Sequence, residues 1–223
     1  MRTIDRSRIH EVIEREERLF ERTHPKSKVL FKRAKKSLLA GVPMNWMVRW
    51  AGTYPIFIKD AKAQYIRDVD GNRYLDLCLG DTGSMFGHSP GPVVEAVRRQ
   101  ISKVITMMLP TEDSVWVGEE LSRRFGLPYW QIAMTATDAN RFAIRLARET
   151  TKRKYILAVN GCYHGTVDET LVNLKDGMVI PRGGNIGPPV DPRETTKLVE
   201  FNDIPSLEAA LKERDVAAFL LAP

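Results

Sequence analysis

The sequence predicts an α/β chain: N-terminal helices, a small antiparallel sheet, then part of a large, mostly parallel sheet domain. Three observations carry this. Apolar residues recur at helical spacing over residues 5–22. Short apolar runs flank the turn pair Asp70-Gly71. From residue 130 onward, apolar runs of strand length alternate with helical stretches, the pattern of parallel strands with helices on both faces.

In chain order, Ile9, Val12, Ile13, Leu19 and Phe20 form the apolar stripe of the first helix. Pro25 interrupts it, and a second helix is expected over 28–40, ended by Gly41 and Pro43. Strands are expected at 56–58, 65–68 and 74–79, giving the small antiparallel sheet. A glycine-punctuated loop from Gly80 to Gly91 follows, then helices over 93–105 and 114–125. The alternating region reads as strand 130–134, helix 138–148, strand 154–159, a short helix after His164, strand 198–201, helix 207–212 and strand 216–221. Residues 182–192, rich in Gly and Pro, read as a loop. The division of domains is placed at 1–80 and 81–223. The last strand runs into Ala222-Pro223, where such sheets carry further site residues, so more chain is expected beyond it.

Composition narrows the function classes. The net charge of +6 invites a nucleic-acid reading. Yet Lys26, Lys28, Lys32, Arg33, Lys35 and Lys36 alternate with Val29, Leu30, Leu38 and Leu39, as on the wet face of an amphipathic helix, and no aromatic stacking motif accompanies them. No apolar run has the length of a membrane span, and the Arg- and Glu-rich start lacks a signal-peptide core. Two cysteines, Cys78 and Cys162, read as reduced thiols, so a cytoplasmic protein is expected. The histidines and cysteines show no metal-ligand spacing.

Two stretches carry chemistry. Thr135-Ala-Thr-Asp138 joins an apolar run to a helix. It fits a capping box, and the same atoms form an anion site: the Thr135 and Thr137 hydroxyls with the N–H groups of Ala136 and Thr137. Asp138 must then point back toward the cap. Tyr163-His164 lies between Gly161 and Gly165. It fits a packed loop pair, and equally a phenol ring stacked on a flat heterocycle with an imidazole beside it. Together the two stretches suggest a pocket for a phosphate at one end and a ring at the other. The loop through His88 reads as a connector or as a substrate-side wall, with His88 structural.

Taken in order, the segments Asp68-Val-Asp-Gly-Asn-Arg-Tyr-Leu-Asp76, Gly87-His-Ser-Pro90, Thr137-Asp-Ala-Asn140, Tyr163-His-Gly165 and Phe201-Asn-Asp203 resemble the N-terminal half of class III, fold type I, pyridoxal-phosphate-dependent aminotransferases. The glutamate-semialdehyde aminomutase-like subgroup is the nearest in pattern. The resemblance implies a homodimer with a large sheet domain and a small domain, and pyridoxal 5'-phosphate as cofactor. It implies that Thr135, Ala136 and Thr137 hold the phosphate, with Tyr163 on the ring and His164 beside it. Trp46 and Arg49 would contribute an apolar wall and a carboxylate contact for a small-molecule amino donor and keto acid.

The chain also departs from the family. It has Thr135-Ala-Thr-Asp138 for the usual Ser-Gly-Thr-Glu, Ala222-Pro223 for Glu-Pro, and a less polar segment at Pro43-Met-Asn-Trp-Met-Val-Arg49. The family's cofactor-bonding lysine and its ring-nitrogen aspartate are expected downstream of residue 223, so no catalytic residue is assigned here and the isolated chain is expected to be inactive. Amino-group transfer between an amine or amino acid and a keto acid is the expected activity. An aminomutase or racemase of the same fold, or a non-catalytic partner subunit, is the alternative.

Overall fold

Thr23 and Pro25 split the N-terminal helical run in two. The computed structural model describes residues 6–221, so the Ala222-Pro223 departure lies outside the described residues. The chain falls into two compact units, Met1–Leu109 and Pro110–Pro223.

In the first unit, helix α1 spans Arg6–Thr23, and the Thr23 hydroxyl donates to the Leu19 carbonyl at 2.8 Å, closing the last turn. Helix α2, Pro25–Ala34, starts earlier than its periodicity suggests, because Pro25 occupies the first turn, where a missing N–H has no helical partner to lose. It also stops earlier. Ala40 and Gly41 both take positive φ, and a Cβ on Gly41 would lie 2.6 Å from the Phe31 ring. The chain doubles back onto the helix instead of extending it.

The antiparallel sheet is a meander of β1 (Ile58–Lys62), β2 (Tyr65–Asp68) and β3 (Arg73–Leu75). The third strand ends before the expected residue 79. Asp76 accepts the N–H groups of Cys78 at 2.9 Å and Leu79 at 3.1 Å, which turns the chain. Its other oxygen meets His88 Nε2 at 2.6 Å, a structural use of that histidine.

The acidic residues of the β2–β3 turn are spent on local architecture. Asp70 accepts from Lys26 N (2.6 Å), Ser27 N (3.0 Å) and Ser27 Oγ (2.8 Å), capping α2 from a distant part of the chain. Asp68, fully buried, accepts from Asn72 N, Asn72 Nδ2 and Tyr74 Oη, each at 2.8 Å, and the Tyr74 oxygen also contacts His24 Nε2 at 2.6 Å. Burial, together with the bond to the Asp68 carboxylate, pushes the Tyr74 phenol from 10.0 up to about 12. A raised phenol contributes stability in its neutral form, present in full below pH 10 and lost as pH climbs through 12. We therefore expect a destabilising step of roughly 2–3 kcal/mol across that window. Urea midpoints from pH 9 to 12, compared with Tyr74→Phe, test this: the step must shrink in the variant. Helix α3, Gly91–Ile101, completes the unit.

The second unit opens with α4, Glu112–Phe125, which ends at Gly126 in the left-handed region, the Gly126 N–H bonding the Ser122 carbonyl at 2.9 Å. Residues 130–134, expected as a strand, form no strand and pair with no described strand. A strand needs a neighbour for its backbone groups, and an apolar run alone does not supply one. Helix α5 (Ala136–Thr151), β4 (Tyr155–Val159), β5 (Val172–Lys175), β6 (Met178–Pro181), β7 (Thr196–Val199), α6 (Ile204–Lys212) and β8 (Val216–Leu220) follow.

Strands β7, β4 and β8 form a parallel sheet in that order. The central β4 has no exposed surface at Ile156, Leu157 or Ala158, as expected for a strand covered on both faces. Ile144 of α5 packs on Ile156 together with Val167. Leu207 and Ala210 of α6 pack on the Leu157 side, with Val199 and Val216. Adjacent residues of β4 point to opposite faces, so the two helices cover opposite sides of the sheet. The β5–β6 hairpin is an addition to the elements expected from the sequence. Its turn, Asp176-Gly177, has positive φ at both residues, and a two-residue Asp-Gly between apolar runs is the signal that marks it.

Candidate cofactor site

The site is built where α5 begins and the chain leaves β4. Thr135 is the N-cap of α5: its Oγ1 accepts from Asp138 N at 3.1 Å and donates to Asp138 Oδ2 at 2.8 Å. The aspartate, shorter than the glutamate of a standard capping box, meets the hydroxyl in place of the Thr135 backbone N–H. Its charge is thereby turned back to the cap. The N–H groups of Ala136 and Thr137, in the first turn, have no intrahelical acceptor, and the helix dipole places its positive end there.

The turn after β4 comes directly against this helix start. Gly165 has φ +85°, and a Cβ on it would stand 2.2 Å from Thr137 Oγ1. The next residue's N–H, Thr166 N, donates to Thr137 Oγ1 at 3.1 Å. One turn along α5, Asn140 Nδ2 donates to the His164 carbonyl at 2.9 Å. Thr137 and the turn carrying Tyr163 and His164 thus lie side by side. Tyr163 is 67% exposed, free to meet a flat ligand. His164 Nε2 is buried and without a hydrogen-bond partner.

The opposite flank of the turn is braced from three directions. Arg182, just past β6, donates to the carbonyls of Cys162 (Nη1, 3.0 Å) and Gly161 (Nη2, 3.3 Å). Asn160 accepts from Leu174 N at 2.8 Å and donates to Glu200 at 2.8 Å. Cys162 packs against the cluster of Ala158, Val172 and Leu198. Burial pushes its thiol up, against the lowering charge of Arg182, which makes it a poor nucleophile.

Thr135, Ala136, Thr137, Tyr163 and His164 therefore gather in the second unit. Trp46 and Arg49 lie in the first, on the 3₁₀ turn Asn45–Arg49. Their spacing of three aligns them on one side of that turn. Both are exposed, and Trp46 packs edge-on to Trp50 at 6.3 Å. The supporting roles of Asn140, Asn160, Thr166 and Arg182 escape sequence reasoning. Asn140 sits in a recognisable segment, but its partner is 24 residues away; nothing near Arg182 in sequence signals the carbonyls it binds. Among the described residues no group of three His, Cys, Asp or Glu could hold a metal ion.

Residues 46–223 match the family described as Aminotransferase class-III. The chain belongs to the class III aminotransferase family. It is 37% identical over 204 residues to the glutamate-1-semialdehyde 2,1-aminomutase of Methanocaldococcus jannaschii, an alignment covering 89% of this chain and 47% of the relative. A crystal structure of a glutamate-1-semialdehyde-aminomutase from Pseudomonas aeruginosa PAO1 superposes with a TM-score of 0.92 at 46% identity, covering 99% of this chain and 49% of that one; a lysine-substituted form of the same protein was solved in complex with PMP. An omega-transaminase from Sphaerobacter thermophilus superposes with a TM-score of 0.77 at 29% identity, over 88% and 47% of the two chains. The chain spans about half the length of these class III relatives, and its α/β fold, with the parallel sheet and its covering helices, is theirs.

Proposed function

We propose that the protein containing this chain is a pyridoxal-phosphate-dependent aminomutase that relocates an amino group within one small amino aldehyde of the glutamate-1-semialdehyde type. The observation that carries this is the 46% identity over 99% of the chain to an aminomutase, against 29% to an omega-transaminase. The expectation of intermolecular amino transfer therefore gives way to what was its alternative.

The residues fit the cofactor. The first turn of α5 offers two backbone donors and a positive dipole end to a phosphate, with the Asp138 charge held away. The exposed Tyr163 ring supplies a stacking face. The buried, unpartnered His164 Nε2 carries a desolvation penalty that a ligand group relieves. When bound, the cofactor supplies an electron sink that eases loss of a proton from the carbon bearing the amine. The chain's own share is to hold and orient: α5 grips the anionic end, the braced 161–165 turn fixes the ring's tilt, and Asn140 locks that turn to α5. Thr135 serves first through the cap, since its one hydroxyl proton goes to Asp138.

A homodimer is part of this reading, supported by exposed Phe86, Met108 and Met134. So is a cytoplasmic location, supported by the free thiols Cys78 and Cys162. Trp46, exposed on the less polar segment 43–49 and packed edge-on to Trp50, favours a second reading: transamination of a more apolar amine.

Product analysis separates the two. With glutamate-1-semialdehyde and no keto acid, the full-length protein should yield the isomer bearing its amino group on the neighbouring carbon. Strict dependence on an added keto acid would reject the aminomutase and support the second reading.

A further inference from the structure

Two hydroxyls stand at the start of α5, and the structure distinguishes them. The Thr135 proton is committed to the Asp138 carboxylate, which can only accept. The Thr137 oxygen, by contrast, receives the Thr166 N–H at 3.1 Å. One lone pair takes that bond, so the Thr137 O–H points away from Thr166 N and is left for an acceptor elsewhere. A phosphate dianion has acceptors only. We propose that Gly165 and Thr166 are positioning residues that preset the Thr137 hydroxyl as a donor to the cofactor phosphate, a role that rests on the cofactor reading above.

The close approach is what makes Gly165 necessary. A Cβ there would lie 2.2 Å from Thr137 Oγ1, 2.9 Å from Thr137 Cα and 3.0 Å from Thr137 Cβ, at a backbone φ of +85°. These neighbours belong to a helix start and cannot swing away as the tip of a long side chain does. Any side chain at 165 would lift Thr166 N–H off the hydroxyl. The bond from Asn140 Nδ2 to the His164 carbonyl holds the same turn from the next ridge of the helix, so the relay has two anchors on α5. Because the Thr166 N–H polarises the hydroxyl it serves, the outgoing hydrogen bond strengthens in a chain of this kind.

The test is equilibrium binding, read by calorimetry or cofactor fluorescence, of pyridoxamine 5'-phosphate and of pyridoxamine, which lacks the phosphate. The quantity followed is the preference of the full chain for the phosphorylated probe. Gly165→Ala and Thr137→Val are each expected to lower that preference roughly ten- to hundredfold, as befits one charge-assisted hydrogen bond. In Thr137→Val the affinity for pyridoxamine, which has no phosphate to meet that hydroxyl, should stay at the wild-type value, and Thr137→Ser, which keeps the hydroxyl, should retain the preference. A purely structural role for Gly165 would weaken both probes alike, leaving the preference intact and overturning the proposal. If Gly165→Ala fails to fold, the Thr137→Val and Thr137→Ser pair decides, an unchanged preference in Thr137→Val overturning it. A wild-type chain with no preference for the phosphate rejects the cofactor reading itself, a result distinct from a wild-type preference that survives the substitutions.

Discussion

Asp68→Ala is expected to destabilise the first unit by about 3 kcal/mol, because three part-buried donors lose one shared, fully buried acceptor. Asn72 N, Asn72 Nδ2 and Tyr74 Oη all point at that carboxylate. Burial alone would raise the Asp68 carboxyl; the hydrogen bonds from Asn72 and Tyr74 outweigh it and hold the group below its ordinary 3.8. A lowered carboxyl contributes stability that is present above its unfolded value and fades as pH falls through the folded one, so the wild type should lose this contribution in acid while the variant has none to lose. Urea denaturation at pH 7 and pH 3 measures both. A loss under about 1 kcal/mol at pH 7 would mean that the three donors find other partners at little cost. The network also holds the α1–α2 junction: Asn72 Nδ2 donates to the Thr23 carbonyl at 3.0 Å, and His24 Nε2 meets Tyr74.

Ile156→Ala should remove between about 2 and 5 kcal/mol from the second unit, the range for a large-to-small change at a fully buried position. Ile156 has no exposed surface and meets Ile144 of α5. Leu157→Ala, one residue on, should destabilise comparably but through the other face, where Leu207 and Ala210 of α6 pack. Amide exchange distinguishes them: Ile156→Ala should lose protection first in α5, Leu157→Ala first in α6. Only the Ile156 change should also weaken binding of pyridoxamine 5'-phosphate, since α5 carries the anion-gripping turn. Equal loosening of both helices in both variants would contradict the two-faced packing described here.

Much of this architecture is legible in the sequence. The buried β4 reads directly from Tyr155-Ile-Leu-Ala-Val159, a continuous apolar run. The α5 cap reads from Thr135 and Asp138, which lie within one helical turn of each other. Glycines at 161 and 165 announced a bent backbone, and both have positive φ. Residues 130–134 misled for the opposite reason: their apolar pattern suits a strand, but pairing depends on a neighbour that the pattern does not specify. The second helix misled at both ends, because Pro25 opens a helix as readily as it breaks one and because Gly41 folds back on Phe31.

The buried β4 and the α5 cap belong to the information carried by residues within a few positions of one another. Contacts across long sequence separations were set by packing. Asp70 caps a helix from 44 residues away, Arg182 clamps carbonyls 20 and 21 residues back, and Thr166 reaches Thr137 across 29. Hydrogen-bond partners so distant leave no periodic trace, because they meet only after the sheet has brought its loops together.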